Sequence, residues 1–278
     1  MNIITGEQIQ EKCDIYLGYE EDFKFNPHIN KQKGKCLEIQ KIPVEWNNPY
    51  IIFIYTHRLS SFIRIMNKIK NNFILVSHNS DENVTDKYNS ILEHPKLIFW
   101  HSQNVIIDHP KLGGLPIGIA NTQWGPQNIA LINKVISSKN SKIRDFYFYF
   151  NISTNYLKRS ECKAALEQKG LQFDTMQKDY ESYLYHLSSH KYAICPSGNG
   201  IDCHRTWECL YLGVIPIFKR SIFTEKISKK FRCIILDNWC DFNRDQIINN
   251  YPGEIHYDTL NLDKIYIKSP SDYFLMYQ

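Results

Sequence analysis

The chain has 278 residues, of which 43% are hydrophobic and 22% charged, with a net charge of +4. This is ordinary for a folded globular protein with a real core, and the length allows one large domain or two of usual size. Lysines and arginines are scattered among acids rather than gathered in a stripe, which argues against a nucleic-acid partner, while the mild excess suits an anionic small ligand in one cleft. The eight cysteines contain no CxxC pair, so neither a disulfide framework nor a paired-cysteine zinc site is indicated, and free, mostly buried thiols are expected. No window approaches the roughly 18 consecutive apolar residues of a membrane span. The opening MNIITGEQIQEKCD lacks the basic flank and apolar centre of a signal peptide. A soluble, cytoplasmic protein without a membrane span is expected, and the two sequons at Asn83 and Asn151 are read as chance matches.

In chain order, Asp14–Gly18 reads as a first strand and Tyr50–Tyr55 as a second, continuous and rich in β-branched and aromatic residues. Leu59, Phe62, Ile63, Met66 and Ile69 follow at helical steps, then Asn72–Val76 as another buried-type strand. This β-α-β order with uninterrupted apolar strands implies a sheet covered on both faces. Lys96–Trp100 is a further strand, 115–119 a short apolar segment, 121–127 a loop, and Lys134–Arg144 a basic, weakly patterned stretch holding a domain boundary near residue 140. A second set begins at once: strand 145–150, helix 155–169 stopped by Gly170, helix 180–189, then strands 192–195, 214–218 and 233–236. The fold class expected is α/β, with two parallel-sheet domains facing each other and a tail over 262–278 packing back on either.

The most informative stretch is CPSGNGIDCHRTWECLYLG, residues 195–213. A strand ends at Pro196, and Ser197, Gly198, Asn199 and Gly200 form a loop whose glycines and asparagine tolerate positive φ, so that its amides can converge. Asp202 is the expected N-cap of the helix that follows, with Trp207 in its buried stripe and Gly213 as its left-handed stop. A loop leaving a parallel strand for a helix N-terminus is a ready anion site. Arg205, in the first turn, can fork onto a phosphate, and Glu208 can accept from two ribose hydroxyls beside His204. The plainer reading is a capped helix with an Arg205–Glu208 ion pair.

The run Pro196, Gly198, Asn199, Gly200, Asp202, His204-Arg205, Trp207-Glu208, Leu210, Gly213 and Pro216 resembles the exostosin-like glycosyltransferases, family 47 of the glycosyltransferases. Ser197 stands where that family often has a positive residue. Asn151, Ser153 and Arg159 resemble the family's segment after the first donor-domain strand, and 101–104 and 115–118 the end of its acceptor domain. The resemblance spans residues 70–240 and is strong at 192–218. It implies a GT-B fold of two Rossmann-like domains facing a central cleft, with an acceptor-side domain over 1–140 and a donor domain over 141–261. It also implies an inverting mechanism, a nucleotide-sugar donor and no essential metal or other cofactor. Small exostosin-like proteins of large algal viruses have a similar shape, and one is a xylosyltransferase. A UDP-sugar, UDP-xylose in particular, is therefore the expected donor and a glycan the acceptor.

Inverting transfer needs a base for the acceptor hydroxyl and positive charge for the departing diphosphate. Arg205, Arg159 and the 197–200 loop answer the second need. For the first, Ser77-His78-Asn79-Ser80-Asp81 directly follows a strand, and Asp81 is the candidate base, with His78 second. The alternative is a loop that merely caps the next helix. His57 and Arg58 end the preceding strand and are candidate acceptor contacts. Trp124 is a candidate sugar platform, a packed loop aromatic being the plainer reading. Cys195, Cys203 and His204 lack a fourth zinc-ligand pattern. The main rival function is a non-catalytic nucleotide- or glycan-binding module of the same fold.

Overall fold

Apolar runs without polar alternation need cover on both faces, and two parallel sheets supply it. In the computed structural model, which describes residues 3–25, 34–47 and 51–252, the protein is α/β, with one sheet of six strands and one of four, every pairing parallel. This architecture is compatible with two Rossmann-like domains. The chain divides between Gly125 and Pro126 into two compact units. The expected tail over 262–278 lies outside the described residues, as does Tyr50.

The first unit holds strands β1 (Ile15–Gly18), β2 (Lys35–Glu38), β3 (Ile51–Tyr55), β4 (Phe73–His78), β5 (Leu97–Ser102) and β6 (Leu112–Gly114), in the order β2-β1-β3-β4-β5-β6. Helices α1 (Gly6–Glu11), α2 (Glu20–Phe25), α3 (Leu59–Ile65) and α4 (Asn89–Leu92) intervene. Leu17, Ile52, Ile54, Phe73, Leu75 and Trp100 pack with Leu59 and Phe62 of α3 in one apolar cluster. The order reverses between β1 and β3, and such switch points are where open α/β sheets take their ligands. Strand β4 runs past the expected apolar segment to His78. Ser77 can sit in the core because its hydroxyl is 2.6 Å from that of Ser102 and accepts the Trp100 indole N–H at 2.9 Å.

Helix α1 starts with a reciprocal cap between Thr5 and Gln8. It docks on a distant segment: Thr5 bridges Ile119, the Glu7 amide donates to Asn121 Oδ1 at 3.0 Å, and Thr122 Oγ1 donates to Glu7 at 2.7 Å. The apolar segment 115–119 is not a strand of the sheet; it turns at Gly118, where φ is +67°.

The second unit opens with α5 (Asn128–Ser138), which lies ahead of the boundary expected near residue 140. Strands β7 (Arg144–Tyr147), β8 (His190–Ile194), β9 (Ile215–Lys219) and β10 (Ile234–Leu236) follow one another across the sheet. Helices α6 (Tyr156–Gln168), α7 (Tyr180–Ser188), α8 (His204–Tyr211), α9 (Ile222–Ser228) and α10 (Arg244–Asn250) complete it. Tyr192, Ile194, Ile215 and Ile217 meet Cys162 and Leu166 of α6, Trp239 and Ile247 in the core, while α5, α7 and α8 pack on one another. The run expected as strand 145–150 leaves the sheet after Tyr147. Phe148 instead exchanges bonds with Asp174, whose amide donates to the Phe148 carbonyl at 2.8 Å. Gly170 and Gly213 end α6 and α8 at φ +81° and +65°, as expected. No helix among the described residues is long and apolar enough to cross a membrane.

A Cβ at Gly118 would stand 2.2 Å from the Ile4 carbonyl oxygen, in a backbone conformation that side chains disfavour, whereas nothing lies within 4 Å of one at Gly114. Gly118→Ala is expected to lower the unfolding midpoint in urea by the equivalent of about 1–2 kcal/mol or more, with Gly114→Ala close to wild type. Equal midpoints for the two variants would contradict this.

Candidate functional site

Because β7 and β8 are parallel neighbours, the segments leaving their carboxyl ends, 148–155 and 195–203, emerge on one edge of the sheet. The two are laced together. Asn155, the N-cap of α6, donates its side-chain amide to the Gly198 carbonyl at 2.7 Å, and the Gly198 N–H donates to Cys203 Sγ at 2.9 Å. Gly198 does not use the left-handed region that was expected to gather the amides. Space is what favours glycine there, since a Cβ would lie 3.2 Å from Cys203 Sγ and 3.3 Å from Arg159 Nη2. Ser197 is half-buried, Asn199 exposed and Gly200 buried.

Two guanidinium groups border this loop. Arg159, in the first turn of α6, donates Nε–H to the Ser197 carbonyl at 3.1 Å and Nη1–H to the Asn151 carbonyl at 2.7 Å. Arg205, in the first turn of α8, donates Nη1–H to the Tyr149 carbonyl and Nε–H to the Tyr183 hydroxyl at 3.4 Å. The rings of Tyr147 and Tyr183 lie 5.5 and 5.7 Å from its guanidinium carbon. Neither arginine is ion-paired to a carboxylate among the described residues. Burial first, and the charge of Arg205 in addition, hold Arg159 below the ordinary guanidinium value.

Three expectations about this stretch are corrected. Asp202 is not the cap of α8: Cys203 holds that position without a side-chain cap bond, and the buried Asp202 carboxylate accepts the Trp207 indole N–H at 2.9 and 3.1 Å. Trp207 is core, as expected. The Arg205–Glu208 ion pair does not form directly, because the Tyr183 hydroxyl sits between, accepting from Arg205 and donating to Glu208 at 2.6 Å. Glu208 is buried and also accepts from Tyr180 at 2.9 Å. It therefore lies behind the loop, holding α7 to α8, rather than open to a ribose. Burial, then the Glu208 carboxylate, push both phenols up. Tyr180 and Tyr183 drew no functional reading from sequence, where they fall within the helix expected over 180–189.

Asn151 and Ser153 are exposed, and their side chains build the turn into α6: Asn151 Oδ1 accepts from the Ser153 amide at 3.0 Å and hydroxyl at 2.7 Å. His204 is half-buried at the start of α8. All eight cysteines are free thiols, four of them buried. Cys195 faces Cys209 at 3.8 Å rather than joining Cys203 and His204 in a metal set. Among the described residues, the grouping with metal-ligand spacing is Asp174, His186 and His190.

In the first unit, the switch point between β1 and β3 is occupied by charge. Arg58 donates to the buried Asp22 carboxylate at 2.9–3.1 Å and to Glu21 at 3.1 Å, with Tyr19 beneath its guanidinium at 4.8 Å. His57 is exposed, its Nε2 3.5 Å from Asp22. Burial pushes the Asp22 carboxyl up, but hydrogen bonds from His57, Arg58 and the Tyr19 amide outweigh it and hold it at about 2. His78 ends β4 fully buried, with Nε2 2.9 Å from the Pro116 carbonyl and Nδ1 3.0 Å from Asn79 Oδ1. Asp81 is exposed in the loop beyond. Glu82, which the sequence reading passed over, accepts from Tyr88 at 2.6 Å and pairs with Lys87. Trp124 is 67% exposed and so is not a packed loop aromatic.

No protein-family model and no curated protein sequence matches this chain.

Asp22 contributes stability in full above about pH 4, the ordinary unfolded value, and loses it as the pH falls toward about 2. The gap in urea midpoint between wild type and Asp22→Asn is expected to narrow between pH 5 and pH 3; a constant gap would contradict the assignment. Tyr183→Phe strips partners from Glu208 and Arg205 together, and equilibrium unfolding should show a loss of about 1–3 kcal/mol.

Proposed function

We propose that the protein is an inverting glycosyltransferase that holds a nucleotide-sugar diphosphate against Arg159, Arg205 and the 196–203 loop and moves the sugar to a glycan hydroxyl. One observation carries the reading. Two half-buried guanidinium groups, fixed on the carbonyls of Asn151 and Tyr149, stand at the carboxyl edge of a parallel sheet with no carboxylate directly paired to them among the described residues. A dianionic diphosphate supplies the missing charge, and Arg geometry suits its oxygens. The amino-terminal turns of α6 and α8 reinforce the same preference for an anion.

The chemistry follows from that placement. The acceptor oxygen forms its bond to the anomeric carbon as the bond to the diphosphate breaks, with inversion. Arg159 and Arg205 stabilise the charge on the leaving oxygen, doing what a resident metal does elsewhere. Ser197, Asn199, His204, Asn151 and Ser153 surround the donor with hydrogen-bonding groups. A GT-B organisation assigns the second unit to the donor and the first to the acceptor. There, exposed Asp81 takes the hydroxyl proton, and His57 and Trp124 contact the glycan. The family resemblance favours UDP and, among sugars, xylose. The burial of His78, bonded at both nitrogens, favours a second reading in which the chain binds a nucleotide or glycan without turnover.

Calorimetric titration with UDP, GDP, CMP and their sugars separates these readings. A response selective for UDP is expected. Arg159→Ala and Arg205→Lys should each weaken it about tenfold or more, the scale of one charge-assisted hydrogen bond. Asp81→Ala should leave nucleotide binding intact and lower turnover about 10²–10⁴-fold. A flat response to every nucleotide would sink the donor site; full turnover in Asp81→Ala would sink the base; binding without turnover on any acceptor would leave the binding module.

A further inference from the structure

At the opposite end of β8 from the 195–203 loop, three ligand-bearing side chains converge. Asp174 lies on the extended segment after α6, His186 in the last turn of α7, and His190 opens β8. One carboxylate oxygen of Asp174, one nitrogen of His186 and one of His190 all lie within 4.8 Å of one another, and His186 Nε2 is 3.9 Å from Asp174 Oδ1. Two of the three side chains are oriented by a second bond. Asp174 Oδ2 accepts the Phe148 amide at 2.7 Å. His190 Nδ1 donates to the His186 carbonyl at 2.8 Å, which leaves Nε2 with its lone pair. A ring N–H on a backbone carbonyl is the usual support of a metal-binding imidazole. His186 Nε2 is buried without a hydrogen-bond partner, and so is the hydroxyl of Tyr147, whose ring packs on both imidazoles at 5.6 and 5.4 Å.

We propose that Asp174 Oδ1, His186 Nε2 and His190 Nε2 bind one first-row divalent cation, with zinc the best-suited ion. Two imidazoles and a carboxylate match zinc's preference, and solvent completes the coordination through the partly exposed Asp174 and His186. Metal–ligand bonds of about 2.0–2.2 Å require the three atoms to close by about 1 Å, a side-chain rotation. The ion ties the start of β8 to α7, the helix whose Tyr180 and Tyr183 hold Glu208. The Tyr147 ring, which packs on both imidazoles, also faces the Arg205 guanidinium at 5.5 Å, but the proposal does not rest on the transferase reading.

One neighbour opposes the ion. Arg144 Nη1 lies 3.3 Å from His186 Nδ1, a contact that keeps the His186 proton on Nε2. Binding moves that proton to Nδ1 and turns the exposed Arg144 side chain away. Removing Arg144 is therefore expected to tighten binding.

The test uses the full chain stripped with EDTA, titrated calorimetrically with zinc chloride and, separately, followed by visible absorption with cobalt chloride. One equivalent of zinc should bind and raise the thermal midpoint. Asp174→Asn, which keeps an acceptor for the Phe148 amide, and His186→Gln should each weaken binding by at least about tenfold. Arg144→Gln should strengthen it. Cobalt should give d–d bands without thiolate charge transfer. No stoichiometric zinc binding, unchanged affinity in both ligand variants, weaker binding in Arg144→Gln, or a thiolate band placing the ion on cysteine would each overturn the proposal.

Discussion

Positive charge seated on main-chain carbonyls is the constraint around which the second unit is organised. A buried guanidinium is tolerated only when its hydrogen bonds and its charge are answered. Arg159 and Arg205 have the hydrogen bonds, from Ser197, Asn151 and Tyr149, and aromatic faces at Phe150, Tyr147 and Tyr183. Among the described residues no carboxylate pairs directly with either guanidinium, and Glu208 reaches Arg205 only through the Tyr183 hydroxyl. Arg58 in the first unit shows the contrast, since Asp22 and Glu21 neutralise it and Tyr19 lies under it. The same residue type is ion-paired in one unit and seated on carbonyls and aromatic rings in the other.

Tyr183 is the joint of the second network. Its hydroxyl relays between Arg205 and Glu208, and its helix stacks Tyr180 beside it at 5.8 Å between ring centres. A carboxylate one turn from an arginine would ordinarily capture it. Interposing a phenol keeps Glu208 from cancelling Arg205, at the expense of burying two tyrosine hydroxyls that must both find acceptors. Glu208 gives each of them one oxygen. The carboxylate thus joins α7 to α8.

Much of this was legible in sequence where burial was uniform. Ile51–Tyr55, Phe73–Val76, Leu97–Trp100 and Tyr192–Ile194 are continuous apolar runs and became inner or near-inner strands. The edge strand Lys35–Glu38 was not legible, because a strand with one neighbour needs no apolar run. Helix α5 was passed over although Ile129, Ile132, Val135 and Ile136 recur at helical steps, because the basic stretch over 134–144 drew the boundary through it. The loop and helix at 195–213 were placed correctly, yet Asp202 misled. A short acid before a helix reads as a cap, and only the fold reveals that the Trp207 indole competes for it. Asp174, His186 and His190 could not be gathered from spacing at all, since α7 and a strand register bring them together.

The docking of α1 has a consequence for how the first unit is made. Thr5 and Glu7 find their partners in Ile119, Asn121 and Thr122, and the Glu7–Asn121 bond spans 114 positions of chain. During synthesis, residues 5–10 emerge long before that seat exists. The helix made early can therefore dock only after residues 119–122 are in place, and contacts of such long range raise the contact order of the unit, which slows folding, whereas β4 and β5 pair over a short stretch of chain.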